Sequence, residues 1–143
     1  MLLEPLRRRV LFVGGKGGVG KTSLASALAV ARARAGERVL VVSTDPAHNL
    51  GHLWERAVGD RPVRLLDLDP GAVEGVEIDP QATILRHLAA VEETMLRLLP
   101  ERQQRAARAH LLRAKDAPGS HESAVLERIA ELAQLGQEDY DAV

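Results

Sequence analysis

One stretch constrains the fold more than any other. Arg9 to Ala25 reads R-V-L-F-V-G-G-K-G-G-V-G-K-T-S-L-A. Val10 to Val13 are β-branched, aliphatic and aromatic, the composition of a short strand buried on both faces. Gly15 to Thr22 match G-x-x-x-x-G-K-[ST], a phosphate-binding loop. From Lys21 onward the sequence turns Ala- and Leu-rich, which favours helix. A strand, a glycine loop and a helix in that order predict an α/β fold that grips phosphate at one end of its sheet.

The chemistry explains the order. A nucleoside triphosphate brings several negative charges that must be neutralised without bulk. Gly14, Gly15, Gly17, Gly18 and Gly20 leave the backbone free of Cβ atoms, so successive N–H groups can form an anion nest. The helix behind adds its N-terminal dipole. In this pattern Gly15, Lys16, Gly17, Gly18, Val19, Gly20, Lys21, Thr22 and Ser23 hold phosphate. Lys21 reaches the β- and γ-phosphates and the Thr22 hydroxyl holds Mg²⁺. Lysine is scarce, occurring only at 16, 21 and 115, yet two of the three lie in this loop. A compact ammonium suits it where a planar guanidinium would not.

An ordinary phosphate loop does not require lysine directly after its first glycine. G-K-G-G-V-G-K-T, with Lys16 there, resembles the deviant loop of a dimeric ATPase class that includes the arsenite-pump and tail-anchored-protein-targeting ATPases and the septum-placement and partition ATPases. The resemblance implies a homodimer facing across the nucleotide, with Lys16 reaching into the partner's site as an arginine finger does. S-T-D-P-A-H-N-L, Ser43 to Leu50, resembles the switch I segment of the arsenite-pump and tail-anchored-targeting branch. It implies that Asp45 activates water and that Pro46 to Leu50 move with nucleotide state. Read locally, a carboxylate there orients the attacking water, holds a Mg²⁺-bound water, or serves as a turn residue before Pro46. His48 is assigned no catalytic role.

Composition sets the bounds. The 143 residues suffice for one domain with a core, and 45% are apolar, so the chain is not disordered by composition. A net charge of −1 and a pI near 6.5 give no reason to expect nucleic-acid binding. Without cysteine there is no disulfide, thiolate zinc site or thiol ligand for arsenite. Met1 to Arg9 reads as a short leader rather than a secretory signal, with Arg7 to Arg9 a solvated flank. No stretch approaches the roughly 20 apolar residues that span a bilayer. The expected location is the cytoplasm.

Along the chain, a helix is expected from Gly20 or Lys21 to about Ala35, with Gly36 as its left-handed stop. Arg38 to Thr44 reads as a second buried strand, parallel to the first through a right-handed crossover. Its end places Asp45 on the phosphate side, where open α/β sheets bind ligands. Asn49 is expected to cap a short helix with Leu50, Leu53, Trp54 and Ala57 on one face. Gly59 to Gly71 is a connection with room for a short edge strand. Val73 to Asp79 reads as a third strand, and its E-I-D-P resembles the family's. Asp79 and Pro80 open a helix whose Ile84, Leu88, Val91, Met95 and Leu98 form one stripe, ending at Pro100. That stripe is a core or dimer-facing surface, or else part of a groove for apolar client helices. Glu101 to Lys115 is a solvated helix. Ser120 caps a last helix with Val125, Leu126, Ile129, Leu132 and Ala133 inward and Gly136 as the stop.

Asp139 to Val143, D-Y-D-A-V, resembles the opening of the strand that leads into the family's switch II. The reading is therefore a three-layer P-loop NTPase with a mostly parallel sheet, truncated before the switch II strand. Residues 1–143 would be the N-terminal part of one ATPase domain, with a helical insertion at about 81–135 and the C-terminal half missing. The missing strand would leave an apolar edge in mid-sheet. The expected ligands are ATP and Mg²⁺. The expected partners are a second copy and a membrane-protein client or membrane pump subunit. Two alternatives stay open: an ATP-dependent targeting module for apolar helices, and a nucleotide-binding fragment without turnover.

Overall fold

Helix α1, Lys21–Arg34, begins directly behind the glycine loop of a chain whose computed structural model describes residues 5–143, the side chains at 5 and 135–137 excepted. Residues 1–4 of the expected leader lie outside the described residues. Gly20 precedes α1 at φ 87 and Gly36 follows it at φ 94, so both ends are set where left-handed backbone is cheap. The helix buries Ser26, Ala29 and Ala33, spaced three and four apart. These side chains are small, so the helix lies close against its sheet. A Cβ placed on Gly71 would sit 1.9 Å from the carbonyl oxygen of Ala33.

Two compact units divide the chain. One comprises Met1–Ile78 with Ile129–Val143, the other Asp79–Arg128. The first holds a three-stranded sheet. Strand β1, Arg38–Ser43, pairs parallel with β3, Ala72–Glu77, and β2, Val63–Asp67, pairs antiparallel with β3 on its other side. Val39 lies opposite Val73, and Ser43 opposite Glu77. The strand order is β1-β3-β2, so the expected edge strand is real and makes half of this small sheet antiparallel. Helix α2, Asn49–Trp54, sends Leu50 into the core with Ala29, Ala33, Val39, Val41, Leu65, Val73 and Ala142.

The first expected strand is corrected. Val10 to Val13 adopt no regular strand, and they are not buried on both faces: Phe12 is 74% exposed. Among the described residues, their sheet-like bonds run to Val143. The Leu11 N–H donates to the Val143 carbonyl at 2.9 Å, and the Val143 N–H donates to the Arg9 carbonyl at 2.8 Å. On its other side this end meets β1. The Leu40 N–H donates to the Ala142 carbonyl at 2.9 Å, and the Asp141 N–H to the Arg38 carbonyl at 2.8 Å. Asp141 to Val143 thus lie between residues 9–11 and β1, and no direct parallel pair joins residues 10–13 to β1. A cleft of about 440 Å³ lies between Val10–Val13 and Val39–Asp45. Backbone groups alternate along a strand, so Val42 and Thr44 face this gap as Leu40 does. They have no backbone partner there among the described residues.

In the second unit, Asp79 caps helix α3, Pro80–Leu98, by accepting from the Gln81 and Ala82 N–H groups, with Pro80 in the first turn as expected. Ile84 is buried and Leu88, Val91 and Met95 are half-buried, but Leu98 is 77% exposed, because the stripe runs out in the last turn. Helix α4, Glu101–Ala114, buries nothing, and an ion pair from Arg108 to Glu92 at 2.7 Å ties it to α3. Helix α5, Ser120–Asp139, begins in this unit and has its residues from Ile129 onward in the first, and it departs from expectation at both ends. The Ser120 hydroxyl donates back to the Ala117 carbonyl instead of capping, and the helix continues past Gly136. Leu126 is 68% exposed rather than inward, while Leu132 is 1% exposed.

Candidate functional site

The glycine loop reaches α1 without a side-chain cap. Gly20 offers no hydroxyl or carboxylate to the first turn, and the first bond closed is the Leu24 N–H to the Gly20 carbonyl at 2.9 Å. The N–H groups of Lys21, Thr22 and Ser23 are left for an anion, at the positive end of a 14-residue helix with no acid in its first turn. Gly18 and Gly20 take positive φ, 75 and 87, and the space where their Cβ atoms would stand is empty to 4 Å. The loop's backbone is therefore open to a ligand. The Lys21 ammonium folds back across it and donates to the Lys16 carbonyl at 2.8 Å.

Asp45 follows β1 and faces the same cleft. Gly17, Lys21, Thr22, Ser43, Thr44 and Asp45 form its polar end. Asp45 Oδ1 accepts the Ala47 N–H at 2.9 Å, and Oδ2 accepts from the Asn49 amide at 2.7 Å. These two bonds, the backbone one foremost, lower its pKa below the ordinary aspartate value, and the charge of Lys21 acts in the same direction. The carboxylate therefore stays ionised and acceptor-only at neutral pH.

Of the residues singled out in sequence, Gly17, Lys21, Thr22 and Asp45 are brought together around the cleft. Gly15, Lys16, Gly18, Val19, Gly20 and Ser23 do not line it. Gly15 is backed by Val19 and by the Lys21 stem, and the Lys16 side chain is exposed. Asn49 does not cap α2. His48 stands at that position at φ 53 with no side-chain bond to the helix, and Asn49 instead holds Asp45. Sequence reasoning gave three residues near the site no role there, although Glu77 opens the E-I-D-P that resembles the family's. Glu77 is 2% exposed and accepts the N–H groups of Leu50 and Gly51 at 2.9 and 3.1 Å. The Trp54 indole N–H donates to the hydroxyl of buried Ser26 at 3.0 Å. A glutamate inside V-E-G-V-E-I was the one available signal. Among the described residues there is no cluster of His, Cys, Asp and Glu able to hold a metal by itself, and no helix long and apolar enough to cross a membrane.

Comparison with known proteins finds several relatives. The "Arsenical pump-driving ATPase" of Acidiphilium multivorum is 45% identical over 93 residues, covering 64% of this chain and 15% of that protein. "ATPase GET3" of Paracoccidioides brasiliensis is 44% identical over 89 residues, covering 62% of this chain and 26% of its own length. "Protein Rv2184c" of Mycobacterium tuberculosis is 41% identical over 138 residues, covering 90% of this chain and 32% of its own. The chain thus spans about a third or less of these relatives. A family model described as "Anion-transporting ATPase" matches residues 8–143, from before the glycine loop to the last residue, and the chain belongs to that family.

Proposed function

We propose that this chain carries the phosphate-binding part of a Mg²⁺-dependent ATPase. The observation that carries the reading is one cleft with Lys21 and Thr22 on one wall and an ionised Asp45 on the other. The open N–H groups of the loop and of the first turn of α1 bind the phosphates, and Lys21 exchanges its bond to Lys16 for phosphate oxygens. Thr22 is the residue that would hold Mg²⁺, which when bound neutralises charge on the phosphates. Asp45 accepts a hydrogen bond from water and orients it. The water oxygen then bonds to the γ-phosphorus as the bond to the β–γ bridging oxygen breaks. The water protons leave to solvent and to inorganic phosphate, and ADP is the leaving group.

The finer parts of the reading go with the family. The ATPase works as a homodimer with Lys16 acting on the partner's nucleotide, and hydrolysis switches the dimer's conformation. The protein is cytoplasmic and serves a membrane pump subunit or a membrane-protein client, without nucleic acid. The full domain is three-layered, with residues of about 81–135 inserted as helices. The open gap beside β1 supports completion of the sheet by a further strand from the C-terminal half. It also favours a second reading for the 143 residues alone: binding without turnover. Titration calorimetry with Mg²⁺ and ATP tests the proposal. Binding is expected, and Lys21→Ala weakens it by about 10- to 1000-fold, since one charge a few ångströms from phosphate at a wet site contributes about 1–4 kcal/mol. Binding unchanged in Lys21→Ala would refute the site.

A further inference from the structure

Glu77 is the only buried acid among the described residues, and the chemistry above does not use it. It ends β3 beside Ser43, two residues before Asp45 on the neighbouring strand. Both of its oxygens are engaged by one short segment. Oε1 accepts the N–H groups of Leu50 and Gly51, and Oε2 lies 3.0 Å from Nδ1 of His48. His48 holds φ 53, a conformation that a non-glycine residue keeps only where its surroundings hold it. Asp45 grips the same segment from the cleft side through Ala47 and Asn49. At the far end of α2, Trp54 bonds Ser26, one helical turn beyond Thr22.

We propose that Glu77 is a positioning residue for the nucleotide site: it latches His48 and the start of α2 to the end of β3 and so holds the Asp45 loop in place. Trp54 on Ser26 ties the other end of α2 to the phosphate-binding helix. Residues 45–51 are therefore held between a fixed strand and the helix that meets the ligand. This rests on the reading of Asp45 as the residue that orients water. Glu77 touches neither water nor phosphate and acts through the loop.

The test compares the intact chain with Glu77→Ala, Glu77→Gln and His48→Asn, the last chosen because asparagine tolerates left-handed backbone. Amide hydrogen exchange is followed without ligand. Glu77→Ala is expected to speed exchange at Ala47 to Gly51 by about tenfold or more while the amides of β1 stay protected, as loss of more than one good hydrogen bond implies. Glu77→Gln restores protection, because its amide oxygen replaces Oε1. His48→Asn speeds the same amides less. Equal exchange in Glu77→Ala and wild type, or equal acceleration across the whole unit, overturns the latch. Should Glu77→Ala fail to fold, the other two variants decide, and His48→Asn with wild-type exchange overturns it. A second arm adds a non-hydrolysable ATP analogue with Mg²⁺ and reads the emission of Trp54, the only tryptophan in the chain. Glu77→Ala should bind the analogue within about threefold of wild type yet lose the emission change; an unchanged emission response overturns the latch. If wild type binds no analogue, the ATPase reading falls and the exchange arm still decides the latch.

Discussion

Replacing Gly71 by alanine is the most direct test of how α1 is seated. Gly71 does not need positive φ, so alanine brings no backbone strain of its own. The new Cβ would stand 1.9 Å from the Ala33 carbonyl oxygen, 2.7 Å from its carbon and 3.0 Å from its Cα, where ordinary contact begins at 3.4 Å. All three atoms are backbone, so no rotamer relieves the clash. The turn and the end of α1 must separate by about 1.5 Å. The Ala72 N–H bond to the Glu37 carbonyl, 3.0 Å long, spans the same junction and would be strained or lost. Overpacking of this kind costs about 1–3 kcal/mol and a lost bond about 1 kcal/mol more. A destabilisation of about 2–4 kcal/mol follows, lowering Tm by about 5–15 °C in a chain of this size. Gly59→Ala is the control. Nothing lies within 4 Å of its Cβ position, so it should be neutral or stabilise by up to about 1 kcal/mol. Urea titrations of both variants, compared at equal slope, measure the difference. Equal stability of Gly71→Ala and Gly59→Ala would refute this seating of α1.

Two further predictions follow from single side chains. Leu50 is fully buried where α2 meets the sheet, so Leu50→Ala should cost about 2–5 kcal/mol in urea unfolding; less than about 1 kcal/mol would mean that α2 is not packed as described. Asp45 should titrate below the ordinary aspartate value, read from its carboxyl carbon by NMR. A depressed pKa stabilises the folded loop at neutral pH, and that contribution is lost only as pH falls through the lowered value. Asn49→Ala should move the midpoint upward, and a midpoint already at the ordinary value in wild type would contradict the two hydrogen bonds.

The glycine loop and the helix behind it were legible because their geometry is local. Glycines that take positive φ, a lysine and a threonine at fixed offsets, and a following Ala-rich helix are all set by neighbours in sequence. The same holds for α3, where Asp79 and Pro80 announce the start and Pro100 the end, and for the edge strand between Gly59 and Gly71. The errors share a different cause. Val10 to Val13 have strand composition, but a regular strand needs a run of paired residues, and among the described residues only Asp141 to Val143 come alongside. Gly136 looks like a helix stop, yet a glycine stops a helix only if the chain turns there, and α5 continues.

Glu77 marks the boundary between the two kinds of information. Nothing in V-E-G-V-E-I says which glutamate turns inward or that its carboxylate will meet α2, because its partners at 48, 50 and 51 lie more than 25 residues away. Local sequence dictates the open glycine loop and the start of α1, since backbone angles and nearby side chains are enough to build them. The wall opposite, with Asp45 held over the same cleft, exists only once β1 and β3 lie side by side and a buried carboxylate must find hydrogen-bond donors in the loop above them.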